Sequence, residues 1–249
     1  MAPFTKKSAK SAKKTAEIPK MTSPHYVIDG DQVKLVEHRN IDENVEVLGA
    51  VPKEVYEQLG KLKNKTFKNV RDVHIACNQC HQVFLTSCLE HPLFWVPNQV
   101  DRAVPGPYTH KTLPAQYFRI SDEGRVKGRG IRAVRNIPTG LVFGPYEGTR
   151  TLAKDCANPD YSWDILINGQ TWAIDGKKNG NWLVLINSPN YQREANMVAL
   201  QHKGEMYYVV YKPIRQGEEL TVWYGAEFGK RLAKRRKQAE KEQQKMQQQ

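Results

Sequence analysis

Three cysteines and a histidine lie close together in this chain, in a spacing typical of a metal site. Two residues separate Cys77 from Cys80 and Cys88 from His91, and seven residues separate the two pairs. Zn²⁺ prefers thiolate and imidazole ligands in tetrahedral structural sites, and a two-residue gap lets one tight turn direct both members of a pair at one ion. The spacing therefore predicts a small structural zinc knuckle.

Alternatives to this ligand set stay open at this point. A disulfide would need an oxidising compartment, and His74 or His81 could replace His91 as the fourth ligand. Four protein ligands leave no position for a reactive water, so we expect a structural and not a catalytic metal. The remaining cysteine, Cys156, lies alone among polar residues and is predicted to be a spare thiol.

A second chemical pattern, GRGIRA at 128–133, matches the G-x-G-x-x-A fingerprint of dinucleotide-binding loops. Such a loop must open a helix whose N-terminus holds the pyrophosphate. Here Pro138 and Gly140 follow within two helical turns and oppose such a helix. This context therefore argues against a dinucleotide site. The two glycines still predict that the backbone at Gly128 and Gly130 can approach another group closely.

The elements around these residues are predicted to be mostly short strands. The run YSWDILI-NG-QTWAIDG (161–176) has the Asn-Gly pair of a two-residue hairpin turn between β-rich segments. MYYVVYKPI (206–214) and ELTVWYG (219–225) read as further strands, and a solvated helix is expected from Glu227 onward. We predict five regions: a disordered basic arm (1–23), an extension of unassigned role (24–70), the knuckle and a linker (71–112), one main domain (113–229), and a basic, Gln-rich helical tail (230–249).

The formal charge of +12 is concentrated at the two ends of the chain. Residues 1–20 carry +5 and residues 229–249 carry +6, which leaves +1 for everything between them. A nearly neutral body argues against a dedicated nucleic-acid-binding domain. The basic cluster at 230–237 predicts a nuclear location and weak contact with nucleic-acid phosphates. No apolar run approaches the length of roughly 18 residues that a membrane helix needs, and the N-terminus lacks a secretory pattern.

Short segments along the main domain occur in a recognisable order: Gly128-x-Gly130, FGPYEG (143–148), YSW (161–163), NWLVLINS (181–188), NMVALQ (196–201) and VWYG (222–225). Together they resemble the PR/SET domain of the PRDM family of SET methyltransferases over roughly residues 113–229. The cysteine–histidine cluster resembles the zinc knuckle that precedes this domain in the meiotic, histone H3 trimethylating branch. The resemblance implies a SET fold, in which several small antiparallel sheets surround a pseudoknot-like crossing, with a zinc knuckle before it and a helix after it.

The resemblance also implies a reaction, the transfer of a methyl group from S-adenosylmethionine to a lysine nitrogen. A free lysine has a pKa of about 10.4, so its amine must lose a proton before it can attack. A narrow apolar channel promotes that loss, and holding the amine and the methyl group within about 3–3.5 Å accelerates the transfer. Tyr224 matches the family's catalytic tyrosine, and Tyr146 and Tyr208 match the other hydroxyls of the lysine channel.

Binding residues carry over from the same resemblance. The implied cofactor contacts are Lys127, Gly128, Arg129, Gly130, Tyr161, Asn187 and Ser188. The stretch that would pair with a substrate peptide as an added strand comprises Asn158, Pro159, Asp160, Tyr161, Ser162, Trp163 and Asp164, and the peptide's lysine would reach Tyr224. The implied substrate is the histone H3 tail at its fourth-position lysine, within chromatin.

The sequence departs from the family pattern beside the cofactor segment. Val184 stands where the family usually has arginine, and Ser188 stands where it has cysteine. Pro189 follows and removes a backbone N–H donor there. Two rival hypotheses accompany the methyltransferase: a catalytically weak PR domain that serves as a chromatin interaction module, and a nucleic-acid-binding protein that acts through its basic tails.

Overall fold

The computed structural model describes residues 25–29, 32–36, 47–52, 72–77, 79–84, 88, 91 and 93–247. The predicted basic arm at 1–23 lies outside these residues. So does the predicted extension at 24–70, apart from three strands.

Short strands dominate the described residues. They are His25–Asp29 (β1), Gln32–Val36 (β2), Val47–Pro52 (β3), Ile75–Ala76 (β4), Val83–Phe84 (β5), Phe94–Pro97 (β6), Phe118–Asp122 (β7), Arg129–Ala133 (β8), Leu141–Gly144 (β9), Thr149–Leu152 (β10), Ser162–Ile167 (β11), Gln170–Asp175 (β12), Met197–His202 (β13) and Glu205–Val210 (β14). The helices are Tyr108–Lys111 (α1), Gly124–Lys127 (α2) and Ala226–Gln247 (α3), with 3-10 turns at Ala153–Asp155, Pro159–Tyr161, Trp182–Leu185 and Gln192–Glu194.

The strands form several small sheets, as the resemblance implies. Their orders are β1-β2-β3, β4-β5, β7-β8, β10-β12-β11 and β13-β14-β9-β6, and every pairing is antiparallel except β6 with β9. The predicted hairpin is β11–β12, with Ile167 paired to Gln170. Both turn residues, Asn168 and Gly169, have the positive φ angles of a primed turn.

The C-terminal part of the domain threads between segments that are distant in sequence. The Leu220 amide donates to the Ile131 carbonyl of β8 at 2.8 Å, and the Val222 amide donates to the Asn187 carbonyl at 3.0 Å. On the other side of this segment, the Met197 amide of β13 donates to the Thr221 carbonyl at 3.0 Å. This is the predicted pseudoknot-like crossing, and it delivers Tyr224 to the interior.

A cluster of aromatic rings holds the sheets and the linker together. Trp182 stacks on Phe118 with centroids 5.1 Å apart and meets Phe143 edge-on at 5.6 Å. Aromatic pairs of this kind contribute about 0.5–1.5 kcal/mol beyond the area that they bury. The Trp182 amide also donates to the Thr112 hydroxyl at 3.0 Å, which fixes α1 against this core.

Candidate active site

An open cavity of about 810 Å³ brings together most of the residues predicted to bind or react. The predicted residues on its wall are Lys127, Gly128, Arg129, Tyr146, Pro159, Asp160, Tyr161, Ser162, Trp163, Asp164, Asn187, Ser188 and Tyr224. Tyr208, Gly130 and Asn158 lie behind this wall and not on it. The individual roles of all these residues stay predictions.

One side of the cavity is a continuous row of aromatic rings, which we call the aromatic wall: Tyr146, Tyr208, Trp163, Tyr224 and Phe228. Neighbouring ring centroids along this row lie 6.1, 5.9, 5.6 and 4.8 Å apart. Tyr208 is completely buried and supports the row from behind. A side chain entering along this row would lose most of its hydration.

Each tyrosine hydroxyl of the aromatic wall has a fixed partner. The Tyr224 hydroxyl donates to the Ile186 carbonyl, and the Tyr146 hydroxyl donates to the Tyr161 carbonyl at 2.7 Å. The Tyr208 hydroxyl accepts a hydrogen bond from the indole N–H of Trp163 at 2.6 Å. These bonds set the direction of the oxygen lone pairs.

Burial keeps these phenols neutral. It raises the pKa of Tyr224, and the neighbouring Tyr161 raises it further. Burial likewise raises the pKa of Tyr146 and of Tyr208 far above that of an exposed phenol. At neutral pH the three hydroxyls therefore act as hydrogen-bonding groups and not as phenolate bases.

A second part of the cavity is built from charges and amides, and we call it the polar wall: Lys127, Arg129 and Asn187 line the cavity, and Glu219 supports them from a neighbouring groove. The Glu219 carboxylate pairs with the Lys127 ammonium at 2.5 Å. It also accepts from the Asn187 side-chain amide at 3.1 Å, and this amide donates in addition to the Arg129 carbonyl at 3.2 Å. Glu219 was not predicted from the sequence, because it meets Asn187 only through the crossing.

The three residues that depart from the family pattern have well-defined surroundings in the structure. Ser188 is buried, and its hydroxyl accepts from the Tyr224 amide at 3.4 Å, so it supports the backbone of the predicted catalytic tyrosine. Val184 packs against Gly180, where an added Cβ would come within 2.2 Å of a Val184 methyl group. Pro189 faces a neighbouring shallow groove instead of the cavity.

The predicted substrate segment follows the edge of a sheet. The Asn158 amide anchors its start by donating to Asp175 at 2.8 Å. β11 is an edge strand, because β12 pairs with it on one side. This edge is where an added peptide strand would bind.

Helix α3 closes one end of the cavity, although the sequence predicted only a solvated tail there. Arg231 and Arg235 pair with Asp160 at 3.2 and 3.1 Å, and Phe228 and Leu232 also line the wall. The Phe228–Leu232 and Arg231–Arg235 spacings of four residues place both pairs on one helical face. This spacing was visible in the sequence, but it did not indicate what the face would contact.

Helix α1 contributes a further residue that the sequence assigned to a linker. Tyr108 lines the cavity mouth, and its hydroxyl donates to Glu147 at 2.8 Å. The other oxygen of Glu147 accepts from the Asn98 amide at 2.7 Å. In the sequence this position is a tyrosine among prolines, and no local pattern indicates its partner.

The cysteine–histidine cluster lies outside this cavity and has the arrangement of a tetrahedral site. The Cys80 and Cys88 sulfurs are 3.5 Å apart, and the His91 Nδ1 lies 3.6 Å from both the Cys77 and the Cys88 sulfur. Zinc–sulfur bonds of about 2.3 Å in a tetrahedron place sulfurs about 3.7 Å apart. All four ligand atoms lie within 4.8 Å of one another, and the cysteines are free of disulfides.

In the part of the chain that the structure describes, the helices are too short or too polar to cross a membrane.

Known proteins resemble this chain in sequence. A family model described as the PR domain of PR domain zinc finger protein 2 matches residues 118–235. The chain is 35% identical to the histone-lysine N-methyltransferase set-17 of Caenorhabditis elegans over 77% of its own length and 69% of that protein. It is 34% identical to the human histone-lysine N-methyltransferase PRDM7, over 65% of this chain but only 34% of PRDM7. A solved methyltransferase domain of human PR domain-containing protein 2 is 29% identical, with a TM-score of 0.43, over 53% of this chain and 91% of that domain.

Proposed function

Because the chain belongs to the PRDM family of PR/SET-domain methyltransferases, we propose that its cavity binds S-adenosylmethionine and methylates a lysine of a histone tail. The observation that carries this proposal is the meeting of the two walls in one cavity. The aromatic wall contains the Tyr224 hydroxyl, and the polar wall offers paired charges and an amide. A buried aromatic row alone would be ordinary protein core.

The residues of the polar wall fit the cofactor. A cavity of about 810 Å³ lies within the usual range of about 300–1,000 Å³ for small-molecule sites. Lys127 supplies a cation, Asn187 supplies an amide, and Gly128 has a positive φ with open space where a side chain would project. The backbone at Gly128 can therefore approach a ligand closely.

When bound, S-adenosylmethionine supplies an electrophilic methyl group on a sulfonium. The protein's part is to prepare the lysine. The aromatic wall strips water from the lysine side chain and so favours the neutral amine over the ammonium. The Tyr224 hydroxyl donates to Ile186, so its oxygen can accept an N–H of the amine and direct the nitrogen lone pair. Tyr146 and Tyr208 stay protonated and add no negative charge that would stabilise the ammonium.

The proposed substrate is the histone H3 tail, with its fourth-position lysine as the acceptor. The edge position of β11 supports this, because an extended peptide can pair with the start of the strand while one side chain enters the aromatic wall. Further along, the Gln201 side chain already bonds the backbone N–H and carbonyl of Leu166. Mass spectrometry of an H3 tail peptide after incubation with enzyme and cofactor tests it. We expect methyl-group mass increments that disappear when the fourth-position lysine is replaced by arginine.

An unmodified peptide under all conditions, with folded wild-type protein, would overturn the proposed enzyme. Peptide binding without transfer would instead support the alternative, a catalytically weak PR domain that acts as an interaction module. The pairing of Asp160 with Arg231 and Arg235 favours this alternative, since α3 then covers part of the substrate segment. The same peptide experiment separates the two.

We also propose that the Cys77, Cys80, Cys88 and His91 cluster binds structural Zn²⁺. The near-tetrahedral separation of its ligand atoms supports zinc. Elemental analysis of purified protein should find one zinc per chain. Cys88→Ser should lose that zinc, while Cys156→Ser should keep it. Full zinc content in Cys88→Ser would contradict this ligand set.

A nuclear location and weak contact with nucleic acid complete the proposal. Lys230, Lys234 and Lys237 are exposed, and their spacing puts them on one face of α3, turned away from Arg231 and Arg235. Replacing these three lysines by alanine should weaken duplex DNA binding and reduce its salt dependence. If the variant binds duplex DNA as tightly as wild type does, this face of α3 does not contact the DNA.

A further inference from the structure

One carboxylate connects the groups of the polar wall, and neither the family resemblance nor the sequence assigned it a role. Glu219 has a side chain that is only 12% exposed, and it contacts both Lys127 and Asn187. We infer that Glu219 is a positioning residue, which fixes these two groups to receive the amino-acid end of the cofactor. This inference rests on the proposed function.

The backbone of Glu219 is itself held firmly. It forms an antiparallel bridge with Arg132 of β8, and its carbonyl accepts from the Asn196 side-chain amide at 2.9 Å. The carboxylate therefore projects from a fixed point in the crossing. A group on such a support can orient its neighbours without moving itself.

Glu219 determines which way the Asn187 amide faces. The NH₂ group of Asn187 donates to two oxygens, the Glu219 carboxylate and the Arg129 carbonyl, and neither oxygen can act as a donor. Rotating the amide by half a turn would bring its oxygen against two acceptors. The Asn187 Oδ1 is thus directed away from Glu219, and no donor among the described residues reaches it. It is available to accept an N–H from a ligand.

Glu219 also pairs with the ammonium of Lys127, a residue that lines both the cavity and the neighbouring groove. An amino-acid end carries an ammonium and a carboxylate, which call for an acceptor and a cation. Asn187 Oδ1 supplies the acceptor and Lys127 Nζ supplies the cation, and the Glu219 carboxylate orients both. This pairing of opposite functions favours an amino-acid end over a neutral ring at this corner.

Gly130 makes room for this arrangement. A Cβ at that position would lie 2.9 Å from the Asn187 Nδ2 and 3.3 Å from a Glu219 oxygen. It would also come within 2.5 Å of Glu123. The position of Gly130 behind the wall is therefore consistent with supporting the Asn187–Glu219 pair, and not with touching the ligand itself.

The variant Glu219→Gln tests the inference, because it keeps the shape but removes the negative charge that pairs with Lys127 and leaves one acceptor oxygen for two donors, Lys127 and Asn187. We expect the dissociation constant for S-adenosylmethionine, measured by calorimetry, to rise on the order of tenfold. The turnover number at saturating cofactor should change less than about twofold. Glu218→Gln, an exposed neighbour in the adjoining turn, is the matched control and should bind as wild type does. Unchanged cofactor affinity in Glu219→Gln would overturn the inference.

A readout without cofactor separates this inference from the proposed function. In ligand-free protein, the ¹⁵N-labelled side-chain amide of Asn187 should show slow hydrogen exchange that accelerates in Glu219→Gln and not in Glu218→Gln. Wild-type protein that binds no cofactor would contradict the proposed function, and the amide exchange would then decide the role of Glu219 alone. Equal exchange in both variants would contradict that role.

Discussion

The two walls of the cavity are built by different physical means. The aromatic wall consists of buried rings whose hydroxyls have raised pKa values and single fixed partners. The polar wall consists of a lysine and an amide that bond to one largely buried carboxylate, and the amide also bonds to the backbone carbonyl of an arginine. The first can change the protonation and direction of a substrate amine, and the second can recognise charged and polar ligand groups. We therefore expect chemistry and cofactor affinity to be separable by mutation.

The largest effect should come from the aromatic wall. Tyr224→Phe keeps the ring packed between Trp163 and Phe228 but removes the hydroxyl that directs the amine. We expect the single-turnover rate of peptide methylation to fall about 100-fold or more. The cofactor dissociation constant should stay within about twofold. A joint loss of rate and affinity would break the division between the walls.

The polar wall should show the reverse pattern. Asn187→Ala removes the acceptor that faces the cavity, and we expect cofactor affinity to fall about 10- to 100-fold. Turnover at saturating cofactor should drop only a few-fold. Titration calorimetry and steady-state kinetics on the same preparation check this. A rate loss as large as that of Tyr224→Phe would show that Asn187 takes part in the chemistry.

A smaller effect is expected from the hydrogen bond that joins two rings of the aromatic wall, Trp163 and Tyr208. Trp163→Phe deletes the indole N–H that donates to the buried Tyr208 hydroxyl. This should cost about 1–2 kcal/mol in the free energy of unfolding by urea and slow methylation roughly tenfold. Trp172→Phe is the control, because its indole N–H has no partner among the described residues. If both variants lose the same stability, the loss reflects ring size and not the hydrogen bond.

Acid should weaken the support of the polar wall before it affects the aromatic wall. Hydrogen bonds from Arg132 lower the pKa of Glu123 below its ordinary value of 4.5. The Glu123–Arg132 pair therefore stabilises the fold fully above pH 4.5. This stabilisation is lost as the pH falls through the lowered pKa of Glu123. We expect about 1 kcal/mol of unfolding free energy to disappear in this range. Urea titrations of wild type and Glu123→Gln from pH 3 to pH 6 should converge at the acid end, and parallel curves would refute the assignment.

The smallest effect is expected at the rim that α3 forms. The Arg235–Asp160 pair joins an exposed arginine to a half-buried aspartate at the surface, and such pairs contribute about 0–1 kcal/mol. Arg235→Ala should change methylation and stability by no more than about twofold and should reduce their dependence on salt. A large gain in peptide methylation would instead show that α3 restrains substrate entry.

Local patterns allowed some of these features to be predicted from sequence. The spacing of Cys77, Cys80, Cys88 and His91 needs only two tight turns to bring the ligands together. The hairpin turn at Asn168-Gly169 likewise depends on residues next to each other in the chain. Such features follow from short-range geometry.

Other features depend on how distant segments meet. Glu219 reaches Asn187 across 32 positions, and Tyr108 reaches Glu147 across 39. Periodicity and composition carry no information about such contacts, because the crossing and the docking of α1 create them. The pairing of two α3 arginines with Asp160 was missed for the same reason, since a run of lysine and arginine is typical of a solvated helix whatever one face contacts.

Nuclear magnetic resonance with S-adenosylmethionine carrying a ¹³C-labelled methyl group tests the central claim most directly. With wild-type protein and an H3 tail peptide, the sulfonium methyl signal should decline while an N-methyl signal appears on the peptide lysine. Tyr224→Phe should retain the bound sulfonium signal with little N-methyl product. A wild-type sample whose labelled methyl group never leaves the sulfonium, although the cofactor is bound, would contradict the account.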